Sequence, residues 1–132
     1  PDLPEYEYET EYGQVIRKYN LDFIFLVTPE TSASRVKKLD ELSTGFLYAV
    51  SSSSTTGAST DGNKMPEYLR RLQALDLKNP VLVGFGIRDR NSFDEACKNA
   101  NGAIIGSAYI TALKGGADVS KATREFLTGI LD

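Results

Sequence analysis

The chain has 132 residues, 41% of them hydrophobic and 25% charged, which suits one compact domain with a core and not a disordered tail. Its formal charge of −3, with Lys and Arg spread along the chain and in no block, argues against a nucleic-acid backbone as partner. The longest apolar run, from Phe23 to Val27, is too short to span a bilayer, and a chain with no His and one Cys offers neither a zinc centre nor an internal disulfide framework. Cys97 reads as a buried structural thiol in a reducing cytoplasm. There is no signal-peptide pattern, and Pro1-Asp2-Leu3-Pro4 reads as the interior of a longer sequence.

The first predicted element is a helix over about 5–19. Tyr8, Tyr12, Val15, Ile16 and Tyr19 recur there at helical spacing, a stripe read as core packing and not as a cofactor box. Pro4 fits its first turn, and Glu5 and Glu7 suit the positive end of its dipole. An apolar run at 23–27 comes next, then a serine-capped helix from 32 or 34 through 42 with Val36 and Leu39 facing inward. After it lie a run at 46–50, the low-complexity stretch 51–62, and a helix at 66–75 with Leu69, Leu72 and Leu75 on one face. A run at 81–83, a helix at 92–99 and a run at 103–105 complete the alternation. A helix then starts near Ser107, Gly115-Gly116 interrupts it, and a last helix covers 119–131. None of the four apolar runs alternates with polar residues, so each is predicted to be a strand buried on both faces. Strict alternation predicts an α/β fold of parallel strands joined by right-handed crossovers. No linker divides the chain.

Two segments share one pattern. Pro80-Val81-Leu82-Val83-Gly84-Phe85-Gly86-Ile87 and Gly102-Ala103-Ile104-Ile105-Gly106-Ser107-Ala108 each run into glycine at the carboxyl end of a strand, with a helix after each. Two such units in succession are how the last strands of a (β/α)8 barrel hold a phosphate group. Gly86 and Gly106 permit close backbone approach. The helix opening at Ser107 offers free N–H groups and a dipole to an anion, and the Ser107 hydroxyl adds a donor. Thr56 and Gly57 could close the cradle from a third side. A single unit would read as a tight turn; the pair predicts a phosphorylated small-molecule ligand. The stretch 51–62 is either a flexible surface loop or an active-site loop, and its place after a strand favours the second.

Acids and bases are scarce. Without His, general acid–base work falls to Asp, Glu, Tyr or Lys, and no pair of carboxylates stands out. Asp89 and Asp94 read as helix-start residues. Asp2 reads as a capping group or the tip of a strand that lies before this chain. Tyr48 points either into a barrel interior or outward, and its hydroxyl needs a partner if buried. The ligand-holding parts are present and the chemistry is not.

Five segments in order carry a family resemblance: Pro1-Asp2-Leu3-Pro4, Phe23-Ile24-Phe25-Leu26-Val27-Thr28-Pro29, Gly45-Phe46-Leu47-Tyr48-Ala49-Val50-Ser51 with Thr55-Thr56-Gly57 after it, and the two glycine units. On them the chain resembles the C-terminal half of the tryptophan synthase alpha subunit, from the end of barrel strand four onward. The resemblance implies that residues 1–132 form one partial (β/α)8 barrel domain carrying strands five to eight. It implies a cytoplasmic lyase of tryptophan biosynthesis that cleaves indole-3-glycerol phosphate to indole and glyceraldehyde 3-phosphate without a cofactor or metal. Gly57, Gly86, Gly106 and Ser107 would hold the phosphate. Thr56 would sit on the closing loop, Tyr48 near the catalytic acid, and Asp2 and Pro4 near the contact with the beta subunit.

The resemblance also implies that the catalytic pair, a Glu on strand two and an Asp on the following loop, precedes residue 1. The chain alone is therefore expected to be inactive and to need the missing N-terminal half. Ser52 departs from the family, in which many members carry Arg there. A half-barrel exposes two sheet edges and an apolar inner face, so self-association is expected. Two other readings stay open. One is another phosphate-binding barrel enzyme, a phosphosugar isomerase or a prenyl-glyceryl phosphate synthase, which Tyr48 and the Thr-Thr-Gly loop disfavour. The other is a non-catalytic half-barrel acting as an association module.

Overall fold

A computed structural model describes residues 3–50, 64–84, 86–115 and 118–132. Asp2, Ser52, Thr56 and Gly57 fall outside them. The N-terminal helical segment has three parts: α1 (Glu5–Glu7), a π-helical turn (Tyr8–Tyr12) and α2 (Gly13–Lys18). Then come β1 (Leu26–Val27), α3 (Ala33–Leu42), β2 (Leu47–Val50), α4 (Lys64–Gln73), β3 (Val81–Gly84), α5 (Arg90–Cys97), β4 (Gly102–Ile104), α6 (Ser107–Lys114) and α7 (Val119–Leu131).

The strands form one parallel sheet in the order β1-β2-β3-β4. Right-handed crossovers that never reverse direction return every helix to the same face of the sheet. Burial reflects this. Val27, Leu47, Ala49, Val81 and Val83 face the helices and pack with Val36, Leu39, Leu69, Leu72 and Ala96 in the core. On the opposite face Tyr48, Val50 and Leu82 are only half-buried. Each apolar run contains a strand, although of 23–27 only Leu26 and Val27 are strand; β2 and β3 leave one face half-buried, and β4 is half-buried throughout.

Local chemistry sets the helix starts. Ser32 caps α3 by accepting the Arg35 N–H, and Asp118 caps α7 by accepting that of Lys121. Asp89 and Ser92 form a reciprocal capping box on α5. Asp89 is thus a helix-start residue, as expected, whereas Asp94 lies inside α5 and pairs with Arg90 at 3.5 Å. Pro4 is the N-cap of α1 and not part of its first turn. Cys97 is half-buried, not buried, and burial still raises its thiol pKa.

The tyrosine stripe departs furthest from expectation. Tyr8 is 5% exposed and packs edge-on against Phe25 and tilted against Phe23. Tyr12, Val15 and Tyr19 are 44%, 51% and 64% exposed. The π turn is the cause. It adds one residue to the helix and rotates everything after it by about 100°. Gly13 therefore takes the buried place that α-helical spacing gives to Tyr12, and its N–H reaches back to the Tyr8 carbonyl. A Cβ at Gly13 would lie 2.6 Å from that oxygen. The segment is tied to α3 by Lys38, whose Nζ lies 3.0 Å from Glu5 Oε1 and 3.0 Å from Glu9 Oε2.

Candidate active site at the carboxyl edge of the sheet

All four strands are parallel, so their carboxyl ends share one edge. The register pairs Gly84 with Ile104. Gly86 and Gly106 each lie two residues past that pair, so the two glycine units open side by side. Gly86 has φ +73°, the left-handed region that glycine enters without a Cβ penalty. Around both Gly86 and Gly106 a Cβ would meet no described atom within 4 Å. Crowding by the described chain does not explain glycine at either position.

Gly106 is the N-cap of α6, and among the described residues no side chain caps that helix. This sets α6 apart from α3, α5 and α7, each of which has a side-chain acceptor on its first turn. The uncapped N–H groups and the positive end of the helix dipole make a favourable place for an anion. Ser107 opens α6 and is exposed.

Tyr48 lies on the open face of the sheet and is half-buried, which settles the inward-or-outward question for its strand. Its neighbour on that face is Gly84, one strand over. A Cβ at Gly84 would overlap the Tyr48 hydroxyl and Cε2 and come 2.6 Å from Cζ. Gly84 thus seats the tyrosine ring against β3, just inside the edge that carries Gly86 and Gly106. From sequence alone Gly84 reads as the glycine at the carboxyl end of a strand. Its one distinguishing signal is that it still lies inside the strand, a mark of close approach by another group.

A second set of contacts ties α4 to the sheet. The Tyr68 hydroxyl donates to the Val27 carbonyl at 2.8 Å, and Arg71 Nη2 donates to the Pro29 carbonyl. These bonds hold α4 to the carboxyl end of β1. Burial pushes the Tyr68 phenol well above its ordinary pKa, so it stays a neutral donor. At α5, hydrogen bonds from Ser92 hold the Asp89 carboxyl below the usual carboxylate range.

Gly86, Gly106 and Ser107 therefore lie at one edge, with Tyr48 two residues inside it on β2 and its ring over Gly84. Pro4 sits apart, exposed at the start of α1. Asp2, Thr56 and Gly57 lie outside the described residues. Among the described residues no three His, Cys, Asp or Glu side chains are grouped to hold a metal ion, and no helix is long and apolar enough to cross a membrane.

A model of the tryptophan synthase alpha chain family matches residues 1–128. The tryptophan synthase alpha chain of Bacteroides thetaiotaomicron is 43% identical over 123 residues, covering 92% of this chain and 48% of the relative. That of Flavobacterium johnsoniae is 48% identical over 114 residues, covering 86% and 45%. The chain thus spans about half the length of the curated relatives it matches. Among solved structures, the tryptophan synthase A-subunit of Pyrococcus furiosus superposes with a TM-score of 0.78 at 29% identity, over 98% of this chain and 52% of that one. Tryptophan synthase from M. tuberculosis superposes with a TM-score of 0.74 at 34% identity, over 98% and 48%. Four parallel strands with flanking helices, the side-by-side glycine units and the family match together place the chain in the tryptophan synthase alpha chain family.

Proposed function

We propose that residues 1–132 are the phosphate-holding, C-terminal half of a tryptophan synthase alpha chain, folded as one partial barrel domain. The whole enzyme would be a lyase of tryptophan biosynthesis acting on indole-3-glycerol phosphate. The uncapped start of α6 beside Gly86, at the carboxyl edge of adjacent paired strands, carries this reading. Phosphate oxygens would accept from the backbone at Gly86, Gly106 and Ser107 and from the Ser107 hydroxyl, with Gly57 and Thr56 closing over them.

The cleavage itself breaks the bond between the indole ring and the glycerol chain. The ring carbon gains a proton, the adjacent glycerol hydroxyl loses one, and glyceraldehyde 3-phosphate and indole leave. That work needs an acid and a base, which in this reading would precede residue 1. Tyr48 would stand beside the acid, and Asp2 and Pro4 near a beta subunit. In this reading the present half binds and positions, and the other half transfers protons.

The test is reconstitution. The chain alone should release no indole above background, because each missing acid–base group forfeits about 10²–10⁴-fold in rate. Adding a separately made N-terminal half from the Bacteroides relative should restore indole release. In that mixture Ser107→Ala should raise KM for the phosphorylated substrate about tenfold, the loss of one hydrogen bond to a charged group. Two folded halves that stay inactive together would sink the proposal.

A further inference from the structure

The N-terminal helical segment carries two incompatible patterns. Its sequence places Tyr8, Tyr12, Val15, Ile16 and Tyr19 on one stripe of a regular α-helix. The structure instead inserts a π turn at Tyr8–Tyr12, buries Tyr8 and Gly13, keeps Ile16 half-buried against the core, and leaves Tyr12, Val15 and Tyr19 exposed. A stretch with apolar residues in phase for one register, held in another, has two ways to pack.

We propose that this segment is a two-register device, with Gly13 as its pivot. In the π register Tyr12, Val15 and Tyr19 face outward. In the α register the turn loses its extra residue, α2 rotates by about 100°, and those three side chains swing onto the core. The start of the segment does not move, because Glu5 and Glu9 both hold Lys38 on α3 and Tyr8 is clamped by Phe23 and Phe25. The rotation is confined to the residues after the turn. Gly13 decides between the registers. In the π register there is no room for a Cβ, which would press on the Tyr8 carbonyl at 2.6 Å, whereas an α-helix accommodates alanine at any position. The two states bury different faces of the same helix, which makes the equilibrium sensitive to a single side chain.

Thiol labelling of the 132-residue chain tests this. Cys97, the only cysteine, is replaced by serine, and Val15→Cys and Gln14→Cys are made separately. Both positions are exposed in the π register, so both thiols should react quickly. Adding Gly13→Ala should slow labelling of Val15→Cys at least tenfold and leave Gln14→Cys unchanged, since position 14 faces outward in either register. Deleting Thr10 removes the extra residue, so that a plain α-helix keeps Val15 outward. In that background Gly13→Ala should no longer protect Val15→Cys. Equal rates with and without Gly13→Ala would overturn the proposal. So would protection that persists when Thr10 is deleted, or loss of helical circular dichroism in Gly13→Ala, which would mean that no second register packs.

Discussion

Gly84→Ala is expected to displace Tyr48 and to damage both stability and turnover. The added methyl would overlap the Tyr48 hydroxyl and Cε2, and it is attached to a strand bonded on both sides, so the ring must yield. Overpacking of this kind costs about 1–3 kcal/mol, read as a lower urea midpoint. The functional loss should be larger. A side chain displaced by about 1 Å from its working position can lower turnover on the order of 10²-fold, read as kcat in the reconstituted enzyme. Tyr48→Ala on top of Gly84→Ala should recover much of the stability, because the two changes act on one contact. A coupling of about 0.5–3 kcal/mol is expected in the double-mutant cycle. Strictly additive changes would show that the ring does not rest on Gly84.

Asp40→Ala is expected to cost more stability and no specificity. Asp40, at the end of α3, is 5% exposed, and both its oxygens are occupied. Oδ2 accepts the Lys78 N–H at 2.7 Å, while Oδ1 accepts the Asn79 N–H at 3.0 Å and the Asn79 Nδ2 at 2.8 Å. Asn79 Nδ2 also donates to the Asp40 and Ser43 carbonyls. Removing the carboxylate orphans two backbone donors, each at about 1–3 kcal/mol. The total is a large share of the roughly 5–15 kcal/mol that holds a domain together. This clamp lies at the amino edge, where β3 begins, away from the edge that carries Gly86 and Ser107. Thermal unfolding should shift by many degrees while KM in the reconstituted enzyme stays the same. A changed KM with an unchanged melting point would reverse that assignment.

The two residues also mark what the sequence could and could not reveal. The strands at 47–50 and 81–84 were legible, as the apolar runs 46–50 and 81–83, because short apolar runs between helices have few other ways to be buried. The glycine units were legible because a turn and a helix start are local features. The Asp40–Asn79 clamp joins residues 39 apart, and no local pattern announces it. Tyr68 was equally silent: its hydroxyl reaches Val27, 41 residues earlier. The tyrosine stripe misled for a different reason. Periodicity presumes a constant rise and rotation, and one π turn breaks that assumption for every residue after it. Gly84 was visible as a glycine, but its use depends on Tyr48 in the neighbouring strand. Thr56, Gly57 and Asp2 lie outside the described residues and stay with the sequence reading.

The order β1-β2-β3-β4 has one more consequence. Each strand pairs only with the strands just before and just after it in the chain, so no strand is threaded between two others that must already be in place. Such a sheet can grow outward from any adjacent pair, and it can stop after any whole number of strand–helix units without leaving a gap inside. Ribbons of this kind can be divided or joined at their ends with little topological penalty.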